Sequence, residues 1–253
     1  MRAGLFFGLL ALFLVAQQRW PKRRTPMLRA MRWPSNLALA LVNAVILALL
    51  PFAAITSAVW AQAHGLGLFN RSEWPRWLEV ALAWIALDCA IYWQHRLLHE
   101  IAWLWPMHRV HHSDVELDTT TGVRFHPFEI VLSMAYKCVV VVALGAPWLA
   151  VLFFETALNG LSLFNHANLN LNPKLDRMLR MIIVTPDMHR AHHSVYRVEH
   201  DSNYSNAFAW WDRLFGSYTD APRDGHEAMR IGLEQFREAP EQGVLPLLRQ
   251  PLR

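Results

Sequence analysis

The chain has 253 residues, 54% of them hydrophobic and 17% charged, with 12 tryptophans and a net charge of +4. That balance is too apolar for an ordinary soluble domain. Its basic residues are not interleaved with an aromatic strand pattern, which argues against nucleic acid as a partner, and Cys89 and Cys138 form no CxxC, which excludes a disulfide scaffold or a cysteine-built zinc finger.

Residues 4–16, GLFFGLLALFLVA, have the length of a signal-peptide core, but no Ala-x-Ala site follows them. Lys22, Arg23, Arg24, Arg29 and Arg32 come next, as in a cytoplasmic turn between two spans, so a short retained first span is expected. Residues 37–60 carry no charge and are long enough to cross a bilayer as one helix. Residues 77–94 predict a further membrane helix, with Glu79 near one end and Asp88 inside, running straight into the first histidines. The apolar stretch 130–164 is punctuated by Gly145-Ala146-Pro147 and predicts a hairpin of two helices that enters the membrane and returns. Residues from about 170 onward are more polar and predict a cytoplasmic cap of helices and loops. Counting sides from the basic turn brings every histidine segment to one, cytoplasmic, face.

The expected fold is therefore all-α: an integral membrane helical bundle of about four to five membrane helices with a cytoplasmic histidine-rich helical cap. It divides into N-terminal spans and basic turn over 1–76, a catalytic region over 77–237 and a C-terminal tail over 238–253.

Nine of the thirteen histidines fall in four groups: His95 and His99; His108, His111 and His112; His166; and His189, His192 and His193. Positions i, i+3 and i+4 of a helix share one face, so each HxxHH trident points its imidazoles the same way. Leaving so many imidazoles unsatisfied beside a membrane costs about 1–3 kcal/mol each, whereas a metal turns them into ligands. Nine histidines overfill a single ion, and two ions would receive four or five each with room for water or oxygen. His99-Glu100 does not open an HExxH, and no glutamate has a histidine three residues later, so the donors are all nitrogen. His64, His200 and His226 stand alone and are read as ordinary histidines.

The boxes His95-Arg-Leu-Leu-His99, His108-Arg-Val-His-His112 and His189-Arg-Ala-His-His193, with Arg124-Phe-His126-Pro127, Thr185-Pro186 and WDRLFGSY at 211–218, resemble the fatty acid hydroxylase and sterol desaturase superfamily. The resemblance implies two irons (zinc can replace them in recombinant protein), O2 as co-substrate, and hydroxylation or desaturation of a lipid C–H bond. It also implies NAD(P)H-derived electrons. The chain carries no haem, flavin, nicotinamide or iron–sulfur motif, so these are expected from a separate electron-transfer protein docking on the cap near Arg190 and Arg197. Asn170 stands where some members have a further histidine ligand, and Ser205 where members usually have glycine.

Two more residues are candidates for contact behind the ligands. Asp88 lies two turns before His95 on the same helix face and could accept the ring's second N–H or instead make a polar contact between helices, and His126 could stand behind a ligand or be a turn residue. The rival readings are a histidine-rich membrane metal transporter, which would place ligands in mid-span, and a membrane zinc hydrolase, which needs a general base. A lipid oxygenase should also have an elongated apolar cavity running from the membrane to the metals between helices 77–94 and 130–164.

Overall fold

The computed structural model describes residues 2–24, 29–71 and 73–253; residues 25–28 of the basic turn lie outside them. Helix α1 (Arg2–Arg19) is apolar all round, with Phe7, Leu12 and Val15 exposed. It packs along α7 (Trp148–His166), where Gly160 leaves space for Leu9 and Phe13 meets Phe164.

Helix α2 (Arg29–Leu49) buries Arg32, Ser35, Asn36, Leu39 and Asn43 on one stripe and exposes Leu37, Leu41, Val45 and Leu49 on others. This helical spacing gives it a polar face toward protein and an apolar face toward lipid. The uncharged stretch 37–60 is not one helix. Pro51 lacks an amide hydrogen and disfavours helical backbone at the residue before it, so the chain breaks after Leu49 and restarts as α3 (Ala54–Ala63). Ala54, Ala58 and Ala61 let α3 settle against α6 (Pro127–Leu144) and α7.

Helix α4 (Arg76–Glu100) runs unbroken through the expected span and on through His95 and His99, packed between α6 and α7. The Gly145-Ala146-Pro147 break appears as expected. Gly145 ends α6 in the left-handed region at φ 62°, and a Cβ there would fall 2.6 Å from the Leu66 carbonyl oxygen.

Three helical stretches are long and apolar enough to cross a membrane: Arg29–Ala63, Pro127–Leu144 and Trp148–His166. Helix α1 is apolar but shorter, and α4, which carries Glu79 and Asp88, is not among the three.

The cap consists of α5 (Trp105–His112), the loop to His126 and six short helices: α8 (Pro173–Leu179), α9 (Pro186–His192), α10 (Arg197–His200), α11 (Trp210–Leu214), α12 (Gly225–Ala228) and α13 (Val244–Arg249). The described residues hold only isolated β-bridges and no strand. The segment from 238 onward is folded onto the rest of the protein. Leu247 is buried with Leu39 and Val110, Gln242 donates to the Ser113 carbonyl, and Arg109 donates to the Gln250 carbonyl.

The basic turn is also folded in. Lys22 pairs with Asp187, Arg23 donates to the carbonyls of His226 and Glu227, and Arg32 is fully buried against Asp114 and Asp118. These side chains hold α1 and α2 to the cap.

Candidate metal centre

Helix α4 delivers His95 and His99 at its C-terminal end, and α7 delivers His166 at its own. Helix α5 carries His108, His111 and His112; α9, capped by the Thr185 hydroxyl, carries His189 and His192 and ends at His193. All nine histidines converge. They form a group of five (His95, His99, His108, His112, His192) and a group of four (His111, His166, His189, His193), with the candidate ligand atoms of each group within 4.8 Å of one another.

The contacts behind the rings fix which nitrogen faces inward. His95 Nδ1 lies 2.7 Å from the Tyr204 carbonyl oxygen, His192 Nδ1 2.6 Å from that of Ser202, and His166 Nδ1 2.7 Å from that of Ser162. A carbonyl only accepts, so each Nδ1 carries the proton and each Nε2 is a bare lone pair. His108 Nδ1 faces the Glu129 carboxylate at 2.8 Å and His111 Nδ1 faces the Arg124 carbonyl at 3.3 Å, with the same consequence.

These lone pairs face each other. Nε2 of His95 stands 3.1 Å from that of His108 and 3.0 Å from that of His192; in the second group Nε2 of His166 stands 3.1 Å from that of His111 and 3.0 Å from that of His189. Two bare nitrogens cannot hydrogen-bond, and their approach is repulsive unless a cation lies between them. Two nitrogens each 2.0–2.1 Å from one ion at tetrahedral or octahedral angles are about 2.9–3.4 Å apart, which is the spacing seen. His99 Nε2 and His112 Nε2 are buried with no hydrogen-bond partner, while His189 and His193 turn Nε2 toward the other rings, 3.3 Å apart, and leave only the outer Nδ1 without a partner. The donor set fits two soft-to-borderline cations.

Burial, followed by the neighbouring imidazoles, holds His111, His112, His189, His192 and His193 well below the usual histidine range. They are neutral near pH 7, the form a metal requires.

The shell behind the ligands departs in part from the sequence reading. Asp88 does not reach His95: seven residues of helix rise about 10 Å, beyond the reach of a carboxylate. It accepts instead from the Phe208 amide and the Trp211 indole. His126 caps α6, accepting from the Phe128 amide, and its Nε2 faces the Leu248 carbonyl. Asn170 is exposed, and its amide donates to the Trp20 carbonyl; it is not placed as a ligand. Arg190 is fully buried on Asp187 and cannot meet a carrier, whereas Arg197 is exposed. His64 lies exposed on the Trp60 carbonyl, as read. His200 is less ordinary than read, stacking on Trp105 in a third cluster with His99 and Asp201.

Glu129 and Asp201, which faces His99 Nδ1 at 3.3 Å, were not singled out in the sequence. Neither was Asn203, whose left-handed backbone (φ 52°) sits between the two residues that offer carbonyls to His95 and His192. Its side chain fixes that turn, donating to Met188 and Thr219 carbonyls. Ser205 is accommodated: its φ is not positive, and its amide donates to Asp212.

The loop after α5 is clamped from behind. Arg124 donates to the Val110 carbonyl and to Ser113 and Asn36, while Arg32 grips Asp114 and Asp118. Burial pushes the Asp114 carboxyl up, but the Arg32 and Arg124 guanidiniums outweigh it and hold it at about 2. A cavity of about 360 Å³ lined by Leu66, Gly67, Leu68, Arg71, Val142 and Ala143 lies at the far end of α6, and a smaller one lies between α1 and α7. Neither is lined by a histidine, so the expected lipid channel to the metals is not among them.

Comparison with known proteins gives three relatives of differing substrate. The chain is 31% identical over 155 residues to an ornithine lipid hydroxylase of Rhizobium tropici, covering 61% of this chain and 46% of that protein. It is 29% identical over 160 residues to an alkylglycerol monooxygenase of Danio rerio, covering 63% and 34%. It is 30% identical over 160 residues to methylsterol monooxygenase 2-2 of Arabidopsis thaliana, covering 61% and 59%. The match thus spans less than two thirds of the length of each relative. No solved structure matches. The family model described as fatty acid hydroxylase matches residues 80–217, a stretch holding every histidine of both groups and more than half of the sequence, and the chain belongs to that family.

Proposed function

We propose that this protein is a membrane-bound di-iron lipid oxygenase that inserts one oxygen atom into a lipid C–H bond. The observation that carries the reading is the pair of inward-facing Nε2 sets, whose spacing suits two cations, at the C-terminal ends of α4 and of the membrane-length helix α7. His95, His99, His108, His112 and His192 would hold one ion, and His111, His166, His189 and His193 the other. Iron there supplies redox chemistry with O2, and the balance is a lipid C–H, O2, two electrons and two protons giving a lipid C–OH and water. Hydroxylation is preferred to desaturation because the relatives are named hydroxylases and monooxygenases.

The chain's own residues orient and seal the site. Tyr204, Ser202, Arg124 and Ser162 carbonyls hold protons at Nδ1 so that Nε2 stays bare, and Phe125 stacks on His111 at 4.6 Å and keeps water from that ring. The substrate is a lipid reaching the histidines from the bilayer, and electrons come from a separate NAD(P)H-driven protein at the cytoplasmic face. A zinc hydrolase is disfavoured because the buried Glu129 carboxylate stands behind His108 Nδ1, on the side of that ring away from the inward Nε2 where a base would have to act. A transporter is disfavoured because the ligands sit at helix ends under a cap.

The test compares lipid extracts of cells producing the wild type or His192→Ala, with elemental analysis of both proteins. The expected result is close to two metals per wild-type chain and a lipid pool heavier by one oxygen, both lost in the variant. A single metal, or oxygenated lipid persisting in His192→Ala, would overturn the reading.

A further inference from the structure

Exposed apolar side chains gather on one part of the cap. Helix α8 and the turn after it present Leu175, Met178, Met181 and Ile182, from 46% to 64% exposed, and α11 presents Trp210 and Leu214. The two stretches are joined through the backbone: the Val184 amide donates to Ala207 and the Ala209 amide to Ile182, each at 3.0 Å, with Ile183 and Phe208 bridged antiparallel. The acids on both helices are buried, Asp176 on Arg180 and Asp212 under the Tyr204 and Ser205 amides. On the two helices the exposed charges are Lys174, Arg177 and Arg213, all basic, and the one exposed acid beside them, Asp220, is paired with Arg180.

Depth along the helices says what covers this face. Helices α4 and α7 both run toward the histidines at their C-terminal ends. The joined stretches contact them well before those ends: Trp211 donates to Asp88, Phe208 packs on Trp84, and the Asn206 side chain donates to the Leu158 carbonyl. At 1.5 Å per residue these points lie about 10, 16 and 12 Å below His95 or His166. Helix α7 is long and apolar enough to cross a membrane. The platform is therefore on the membrane side of the metal centre, not above it.

We propose that the platform built from residues 173–183 and 207–214 is seated in the interfacial layer of the bilayer, its apolar side chains among the acyl chains and Lys174, Arg177 and Arg213 against anionic headgroups. Exposed apolar residues rimmed by cations suit that layer. A water-borne protein would have to reach below the metals to use the same face.

The test uses the full chain with Cys89→Ser and Cys138→Ser, reconstituted in vesicles of phosphatidylcholine and phosphatidylglycerol. A bimane label is placed at Met178→Cys or Leu214→Cys, with Val198→Cys on α10, 86% exposed, as reference. Labels at 178 and 214 are expected to be quenched several-fold more than that at 198 by lipids carrying a shallow acyl-chain nitroxide, and several-fold less by aqueous iodide. Met181→Cys is read in the same way if either variant fails to fold. Iodide quenching at the platform equal to that at 198 would overturn the proposal. So would protection that arises only on adding a soluble protein, which would assign the face to a protein partner. Metal content, measured on the same samples, keeps this outcome separate from the fate of the di-iron reading.

Discussion

Glu129 gives the group of five a feature that the group of four lacks. His108 donates to this buried carboxylate at 2.8 Å and His99 faces Asp201, whereas His111 and His166 lean only on backbone carbonyls. A carboxylate behind a ligating imidazole raises its basicity, and removing such a partner costs roughly 10–100-fold in metal affinity. Glu129→Gln keeps the shape and loses the charge, so a chelator titration should show one of two metals leaving at about 10-fold lower chelator concentration while the other is unchanged; equal loss of both would refute the assignment. Gly122→Ala should strike the other group. Its Cβ would stand 2.8 Å from the Ser162 carbonyl oxygen, the acceptor for His166, and 3.2 Å from His166 Nδ1 itself. That variant is expected to retain the five-histidine metal and lose the second, read by elemental analysis. The gathering of the histidines was legible in the sequence because each box lies on or at the end of one helix, where spacing fixes direction. Their supports were not: Tyr204 is 109 residues from His95 and Glu129 is 21 from His108, and no local period connects them. Asp88 shows the converse error, a shared helix face without the reach to use it.

Helix α2 carries two faces of opposite chemistry. Its apolar run was legible as membrane-seeking, and Leu41 and Leu49 do face outward. The polar stripe through Arg32, Asn36 and Asn43 was not, because its partners Asp114, Asp118, Thr120 and Phe125 belong to a loop some eighty residues on. Arg32 reads in sequence as one more cation of a basic turn, yet it is a buried clamp on the segment that follows His112. Removing one partner of a buried ion pair leaves the others uncompensated, at about 3–5 kcal/mol. Arg32→Met should accordingly lower the thermal midpoint in detergent and loosen the second histidine box. Adding Asp118→Asn should recover part of that loss, since Asp114 keeps Arg124 as a partner and the stranded Asp118 charge is gone. If Arg32→Met melts like the wild type, α2 is a lipid anchor and no more.

At the scale of the whole molecule, the two histidine groups bring α4 and α7 together with the cap helices α5 and α9. The group of five draws on α4, α5 and α9, and the group of four on α5, α7 and α9 with its C-cap, so metals bound in the two groups would staple α4 and α7 to the cap. The apolar face-to-face packing of α3, α4, α6 and α7 around Phe154, Leu87 and Val141 lies away from these groups and does not depend on them. Metal removal should therefore separate two levels of stability. An ion at roughly a thousand times its dissociation constant stabilises the native state by about 4 kcal/mol, and without it the bare Nε2 pairs repel. We expect the chelated protein to keep its helical far-ultraviolet signal while the cap becomes sensitive to protease between 170 and 237, and the thermal midpoint to fall. Added Fe(II) or Zn(II) should restore both, because imidazole sites of this kind discriminate weakly between them. A chelated protein whose cap resists protease as the loaded form does would mean that the histidines are held in place by packing alone, and that the metals are guests rather than parts of the fold.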